Sequence, residues 1–319
     1  MANKKKEKDA NNNKQTKKTA AKKQTNLLPV LISVAVIIIV TYFVFSPSLQ
    51  NDFTNWDDPT YVTDNPLVVN NAVPVKEIFK TPVSLNYHPV TILSLAWNYQ
   101  NGKLNPKGYH EENVIFHLLN TLLVFLFIFL LTRRNLLMAA IVALFFGIHP
   151  MHVESVSWVS ERKDVLYVFF FLAGLITYLR FLDTKRILWY ILTLLLFVLS
   201  CLSKGMAVVF PVIMLLIDYL RNDKLQLKII FNKIPFFVLS LVFGVISFRI
   251  QSGGAIADMQ VFTIFQRMMF ASYGAIMYVV KFFAPVNLSA FYPYPTLDRN
   301  GNIPLPYTDT RTVTGSGRL

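Results

Sequence analysis

The chain has 319 residues, of which 54% are hydrophobic, 14% are aromatic and only 15% are charged. This composition excludes a soluble domain of the same length. Repeated uncharged runs close to the roughly 20 residues that cross a bilayer predict an all-α polytopic membrane protein. The single cysteine, Cys201, excludes a disulfide framework.

The net charge of +13 is located mainly at the N-terminus. Residues 1–25 hold nine lysines against Glu7 and Asp9, so +7 of the total lies there. This composition predicts a disordered basic tail on the cytoplasmic side of the cell inner membrane, in contact with anionic lipid. Because the excess charge is placed in this tail, we expect no nucleic-acid partner. The apolar run that follows is too long for the core of a cleaved signal peptide.

Apolar runs predict about seven to eight transmembrane helices in a domain of residues 26–295, followed by an irregular, truncated tail of residues 296–319. The first seven are Leu27–Phe45, about Asn113–Leu131, Leu136–Ile148, Val165–Leu182, Ile187–Leu202, Met206–Leu220 and about Ile234–Phe248. Phe262–Ala284 is either an eighth span or an amphipathic helix on the outer surface, because charged and polar residues interrupt it.

The placement of lysine and arginine predicts the orientation. Segments assigned to the cytoplasm hold seventeen of these residues, whereas the outer loops up to Gly205 hold seven. This asymmetry follows the positive-inside rule and predicts a cytoplasmic N-terminus. The first outer loop, residues 46–112, is then long and extracytoplasmic. Within it, Pro89–Tyr99 has the apolar spacing of a helix that lies in the membrane interface.

Four polar clusters fall on this outer side, and together they favour group transfer. An ionised carboxylate can remove the proton of an acceptor hydroxyl, and cations can bind a lipid-linked phosphate leaving group. We expect the general base to be Asp57 or Asp58. The expected ligands of the donor phosphate are Arg162, Lys163 and Lys204. The expected pocket residues are Trp56, His88, Asn113, His117, Asn120, His149, His152 and Glu154.

Each cluster also has a purely structural interpretation. Asp57-Asp58-Pro59 fits the start of a turn. Asn113, His117 and Asn120 share one helix face, as a polar network between helices requires. The charged run Glu161–Asp164 fits a helix start, and Lys204 fits a side chain that extends to the headgroups.

A metal site is not expected. His149, His152 and Glu154 have a spacing that suggests one, but Pro150 interrupts the run and no HExxH pattern is present. His149-Pro150 fits the end of the third span instead. We therefore expect neither a metal nor another cofactor.

The order of several motifs resembles the bacterial relatives of the transmembrane and tetratricopeptide repeat containing (TMTC) proteins, which are membrane glycosyltransferases of the GT-C fold. These motifs are Asn55-Trp56-Asp57-Asp58, Asn65-Pro66-Leu67-Val68, Tyr87-His88-Pro89-Val90-Thr91, Leu104-Asn105-Pro106 and the block from His149 to Leu166. The resemblance covers about residues 46 to 295. Relatives commonly have Lys-Pro-Met where this chain has Lys204-Gly205-Met206, and they usually continue with further membrane helices and repeats.

The resemblance implies a GT-C-like helical bundle and inverting transfer of a sugar from a polyprenyl-phosphate donor, usually to a protein hydroxyl. It implies that an acid in the first outer loop is the base, which corresponds to Asp57 or Asp58. The expected partners are this donor, a protein or glycan acceptor and membrane lipids. The alternatives are a polyprenyl-lipid transporter or flippase, and a non-catalytic membrane assembly protein.

Overall fold

A computed structural model describes residues 27–222, 230–253, 263–289 and 292. In these ranges the chain is mainly helical and contains no β-strand, and an isolated antiparallel bridge joins Val83 to Asn86. The predicted all-α class is confirmed. The predicted tails, residues 1–25 and 296–319, lie outside the described residues.

Within these ranges we number the α-helices from α1 to α12. They are α1 (Leu27–Phe45), α2 (Pro66–Val69), α3 (Val75–Ile78), α4 (Pro89–Gly102), α5 (Pro106–Leu131), α6 (Leu136–Ile148), α7 (Val153–Ser157), α8 (Arg162–Thr184), α9 (Ile187–Ser203), α10 (Phe210–Asn222), α11 (Ile234–Gln251) and α12 (Ile264–Phe283). Short 3₁₀ segments are Ser46–Gln50, Pro150–His152, Val159–Glu161 and Gly205–Val209, and Pro59–Thr63 is a π-helical turn.

Two long helices begin before the apolar runs that predicted them. α5 starts at Pro106 instead of Asn113, because the side chain of Asn105 accepts a hydrogen bond from the backbone N–H of Lys107 at 3.2 Å. A proline at the first helical position is compatible with this start. α8 likewise starts at Arg162 rather than Val165. Both helices therefore carry polar residues on ordered turns beyond their apolar parts.

Four helical stretches of the described chain are long and apolar enough to cross a membrane: 27–50, 106–131, 159–184 and 234–251. A fifth is added if α6 and the segment Pro150–Ser157, which are bent by 51°, count as one span. This is fewer than the seven to eight spans expected. For three of the expected spans the difference is one of length, since α6 and α10 have 13 residues each and α9 has 17. The eighth candidate, α12, has 20 residues but is interrupted by charged and polar side chains, as its sequence indicated.

A ridge of small residues lets α6 pack closely against α1 and α5. Ala139, Ala143 and Gly147 recur every four residues on α6 and are buried. A Cβ atom added at Gly147 would collide with the side-chain oxygen of Thr41 and would lie 3.0 Å from the Cγ2 atom of Thr121. The ridge therefore needs glycine at its last position.

The first loop folds into a compact cap over one end of the bundle, which we call the loop end. Tyr61, Val62, Ile92 and Leu95 are buried together in its apolar core. The hydroxyl of Thr91 on α4 donates a hydrogen bond to the carbonyl of Ser203 at the end of α9, at 2.9 Å. This bond joins the cap to the bundle.

The opposite end of the bundle contains a buried ion pair. Asp218 of α10 pairs with Lys233, which directly precedes α11, and both side chains are almost fully buried. The hydroxyl of Tyr178 on α8 donates to the Asp218 carboxylate at 2.8 Å. Three helical segments are thus joined by one carboxylate.

Candidate functional site

A cavity of about 210 Å³ lies at the loop end, where α5, α8 and the chain around α6, α7 and α9 meet. Its lining combines polar and apolar side chains. It is lined by His117, Asn120, Phe146, His152, Ser155, Val156, Asp164, Val165, Tyr167, Val168, Lys204 and Met206. Four of the residues expected from the sequence, His117, Asn120, His152 and Lys204, are therefore in its wall.

The polar stripe of α5 connects three other segments of the site. Asn113 donates to the carbonyl of Trp158 at 3.0 Å, and Asn120 donates to the carbonyl of Val165 at 2.7 Å. Nε2 of His117 donates to the carbonyl of Gly147 at 2.9 Å. The stripe is thus a structural network, as one interpretation required, and two of its members also line the cavity. Within the described part of the chain, Oδ1 of Asn120 has no hydrogen-bond partner.

The two adjacent aspartates have different surroundings. The carboxylate of Asp58 is fully buried and accepts four hydrogen bonds. They come from the backbone N–H groups of Thr54 and Ser160, at 2.8 and 2.9 Å, and from the hydroxyls of the same two residues. Asp57 is only half-buried, and its carboxylate accepts no hydrogen bond from the residues that the structure describes. It interacts electrostatically with Tyr61 and Lys163.

Arg162 is fully buried at the start of α8, and α5 provides its partners. Its guanidinium donates to the Glu112 carboxylate at 2.6 Å and to the carbonyl of Tyr109 at 2.8 Å, and its Nε donates to Asn113. The three nitrogen atoms are thus all used within the protein. Arg162 joins α8 to α5 and is separate from the cavity wall.

Two lysines and two acids form one chain of ion pairs beside the cavity. Lys163 lies 2.8 Å from Glu161, and the other oxygen of Glu161 lies 3.5 Å from Lys204. Lys204 also pairs with Oδ1 of Asp164, whose Oδ2 accepts a hydrogen bond from Ser155 at 3.0 Å. The formal charge of these two ammonium groups and two carboxylates is zero.

His88 lies under the cap and is buried against Tyr61. Their rings are stacked, with centroids 5.2 Å apart and an interplanar angle of 17°. Burial, together with the nearby charges of Lys163 and Lys204, lowers the pKa of His88 to about 3, so that its imidazole is neutral. Burial likewise raises the pKa of Tyr61. The Nε2 atom of His88 has no hydrogen-bond partner among the described residues.

The remaining expected pocket residues lie around the cavity or outside it. His149 accepts a hydrogen bond from the N–H of Met151 at 3.2 Å and donates to the carbonyl of Phe282 on α12 at 2.9 Å, so both ring nitrogens are used. Glu154 is exposed on α7. Trp56 is 56% exposed, and its ring packs edge-to-face on Trp158 at 5.7 Å.

The ranges that the structure describes contain no group of three or more histidine, cysteine, aspartate or glutamate side chains able to hold a metal ion. In particular, the hydrogen bonds of His149 occupy both nitrogens that would be ligands. The spacing that suggested a metal site therefore corresponds to the bent connection between α6 and α7.

Sequence reasoning gave no role to three residues that the structure places at the site. Asp164 and Ser155 line the cavity, and Glu161 bridges both lysines. The three-residue spacing of Glu161 and Asp164 was a usable signal, because side chains at this spacing near a helix start lie on one face. His110 was also missed; it is almost fully buried on α5.

Similarity to known proteins agrees with the family resemblance seen in the motifs. Over 169 residues the chain is 31% identical to protein O-mannosyl-transferase TMTC3 of Homo sapiens, covering 48% of this chain and 18% of that protein. It is 30% identical over 149 residues to protein O-mannosyl-transferase TMTC1 of Mus musculus (44% and 16%). It is also 30% identical over 194 residues to protein O-mannosyl-transferase F38B6.6 of Caenorhabditis elegans (54% and 26%).

These matches confirm the resemblance to TMTC proteins over about half of the chain. The chain spans about a fifth of the length of the curated relatives that it matches. No protein-family model and no solved structure matches it.

Proposed function

We propose that this chain is a membrane glycosyltransferase that moves a sugar from a polyprenyl-phosphate donor to a hydroxyl group of an extracytoplasmic acceptor. The observation that carries the proposal is the cavity at the loop end, whose lining includes Lys204, Asp164, His117 and Asn120. The relatives are named protein O-mannosyl-transferases, which supports mannose as the sugar and a protein hydroxyl as the acceptor.

The size of the cavity supports a donor that carries one sugar. Pockets for drug-sized ligands have volumes of about 300–1,000 Å³. A cavity of about 210 Å³ is smaller, and suits a single sugar or a phosphate rather than an oligosaccharide. The lipid part of such a donor would remain in the bilayer beside the helices.

The reaction we propose is a single displacement at the anomeric carbon. The acceptor oxygen bonds to this carbon, its proton passes to a carboxylate, and the carbon–oxygen bond to the phosphate breaks with its electron pair on the phosphate. Positively charged groups stabilise the charge that develops on this leaving group. A displacement of this kind inverts the configuration of the sugar.

The surroundings of the expected residues support different roles for them. Asp57 is the preferred base, because its carboxylate is half-buried and carries no hydrogen bond from the described residues that would compete with a substrate. Lys204, in the cavity wall, and Lys163 are the preferred phosphate ligands. We assign Asp58 and Arg162 positioning roles, since their polar atoms are used within the protein.

The proposed orientation places this site outside the cytoplasm of the inner membrane, with the N-terminus inside. It is supported by the excess of lysine and arginine in the segments assigned to the cytoplasm. The loop end then faces the periplasm or cell exterior, where a protein acceptor is available.

The test is transfer of radiolabelled mannose from undecaprenyl-phosphate mannose to a serine- and threonine-rich acceptor peptide, with the chain in proteoliposomes. Asp57→Asn is expected to lower the rate at least about a hundredfold, as loss of a general base does. Asp64→Asn is the matched control, because Asp64 is an exposed acid in the same loop. Transfer that is equal in all three proteins would refute the role of Asp57. Movement of labelled lipid across the bilayer without transfer would favour a transporter instead.

A further inference from the structure

The lysines proposed to bind the donor phosphate are already neutralised by the chain's own carboxylates. Lys204 pairs with Asp164 and lies 3.5 Å from Glu161, which in turn lies 2.8 Å from Lys163. Because the charges of this network cancel, a phosphate cannot bind to Lys204 with full strength until a carboxylate withdraws.

Asp164 is the carboxylate placed to withdraw. It lies in the cavity wall and its side chain is 23% exposed, whereas the side chain of Glu161 is 11% exposed and bridges both lysines. One oxygen of Asp164 binds the ammonium group of Lys204, and the other accepts from Ser155. Asp164 thus occupies, beside Lys204, the position that an anionic group of a ligand would take.

We propose that Asp164 pairs with Lys204 in place of the donor phosphate before the donor binds, and becomes a ligand of the sugar when the donor is bound. The phosphate then forms an ion pair with Lys204 in place of Asp164. The released Asp164 carboxylate accepts hydrogen bonds from sugar hydroxyls in the cavity. This assignment rests on the proposed function, and it gives Asp164 a part in donor binding rather than in proton transfer.

Because of this exchange, the site binds the sugar-bearing polyprenyl phosphate more tightly than the sugar-free polyprenyl phosphate. A sugar-free polyprenyl phosphate must separate Lys204 from Asp164 and leave a partly buried carboxylate without its cation, which is unfavourable. A sugar-bearing lipid replaces the lost ion pair with hydrogen bonds to a charged acceptor, each of which corresponds to about ten- to hundredfold in affinity. The carrier lipid is therefore released after the sugar has left it.

The experiment compares binding of undecaprenyl phosphate and undecaprenyl-phosphate mannose to the full chain in nanodiscs. Asp164→Asn is expected to bind undecaprenyl phosphate about tenfold more tightly than the wild type, because Lys204 is no longer neutralised by this carboxylate. The preference for the mannose-bearing lipid is expected to fall by about tenfold or more. Unchanged or weaker binding of undecaprenyl phosphate by Asp164→Asn would overturn the proposal, as would an unchanged preference.

Two further variants separate this role from a structural one. Asp164→Glu keeps the charge, and is expected to bind undecaprenyl phosphate as weakly as the wild type; tight binding by this variant would contradict the proposal. Glu111→Gln is the matched control, because Glu111 is an exposed acid paired with Lys107 at 3.8 Å on α5, and its affinities should equal those of the wild type. A misfolded variant would not gain affinity, so the expected gain is itself evidence of a folded site.

The outcomes also separate this inference from the proposed function. If the wild type transfers mannose but Asp164→Asn shows neither change in binding, the inference fails and the transferase remains. If the binding changes occur without any transfer by the wild type, the role of Asp164 stands and the catalytic proposal fails. If the wild type binds neither lipid, both are refuted.

Discussion

Replacement of Asp58 by asparagine is expected to destabilise the folded protein, whereas the same change at Asp57 is not. The two oxygens of the Asp58 carboxylate each accept from one backbone N–H and one hydroxyl. In asparagine one of these oxygens becomes an NH₂ group, which donates and cannot accept. One hydrogen bond is lost because the new NH₂ group faces a backbone N–H, while the hydroxyl at the same position can turn and accept from it. The three remaining hydrogen bonds no longer involve a charged carboxylate.

The magnitude follows from the bonds that are lost. A hydrogen bond to a charged group contributes about 1.5–3 kcal/mol and a neutral one about 0.5–1.5 kcal/mol, so one lost bond and three weakened ones lower the free energy of unfolding by about 4–7 kcal/mol. One kcal/mol corresponds to a shift of about 2–4 °C in Tm for a domain of 150–250 residues. We therefore expect Tm to fall by at least about 6 °C in Asp58→Asn, and by less than about 2 °C in Asp57→Asn.

Thermal unfolding in detergent, followed by tryptophan fluorescence, measures this difference, and Trp56 and Trp158 lie close to the affected segments. Mannose transfer is measured on the same samples well below Tm. Equal Tm values for the two variants would refute the structural role of Asp58. Loss of transfer in Asp58→Asn with an unchanged Tm would make Asp58, rather than Asp57, the base.

Three further predictions concern stability. Gly147→Ala is expected to lower Tm because the added methyl group meets threonine side chains of two neighbouring helices. Gly108→Ala is the control, because its methyl group meets nothing within 4 Å, and it should be neutral or stabilise the protein by up to about 1 kcal/mol. The opposite order of Tm values would refute the packing argument. Arg162→Ala is expected to lower the free energy of unfolding by about 3–5 kcal/mol, because it removes a buried ion pair. Lys107→Ala is the control, and should lower it by less than about 0.5 kcal/mol because Lys107 is exposed. Similar Tm values for the two variants would contradict the buried role of the arginine. Because the pKa of His88 is lowered to about 3, the unfolded chain takes up a proton below about pH 6.5 that the folded protein does not, so stability is full above pH 6.5 and falls towards pH 3. The loss reaches about 2 kcal/mol at pH 5, so His88→Phe should reduce the fall in Tm between pH 7 and 5, and an equal fall in both proteins would refute this.

Apolar runs were sufficient to predict the long helices but not all of their ends. α1 and α6 coincide with the runs that predicted them, because apolar sequence begins and ends where these helices do. α5 begins seven residues before its run, since its start is determined by the cap at Asn105 and not by hydrophobicity. Run length predicted more membrane spans than the four or five long apolar stretches found in the described ranges, because several of the apolar helices are short.

That the polar clusters lie together at one end of the bundle was predictable, but the contacts of single residues were not. Nothing in the sequence distinguishes Asp58 from Asp57, and the partner that does so, Ser160, is 102 residues away. Similarly, Arg162 is buried by contacts with α5 that lie 49 to 53 residues earlier in the chain. The periodicity of α5 did predict that its polar stripe faces protein, since period and burial are linked within one helix.

The buried pair at the end opposite the site has a consequence for biogenesis. During synthesis α10 is made before Lys233, so the carboxylate of Asp218 exists before the cation that neutralises it, and burial of an unpaired carboxylate is strongly unfavourable. α10 can therefore pack stably beside Tyr178 only after the segment that begins α11 has also been synthesised. Loss of Lys233 would then appear in cells as misfolding and degradation of the newly made chain.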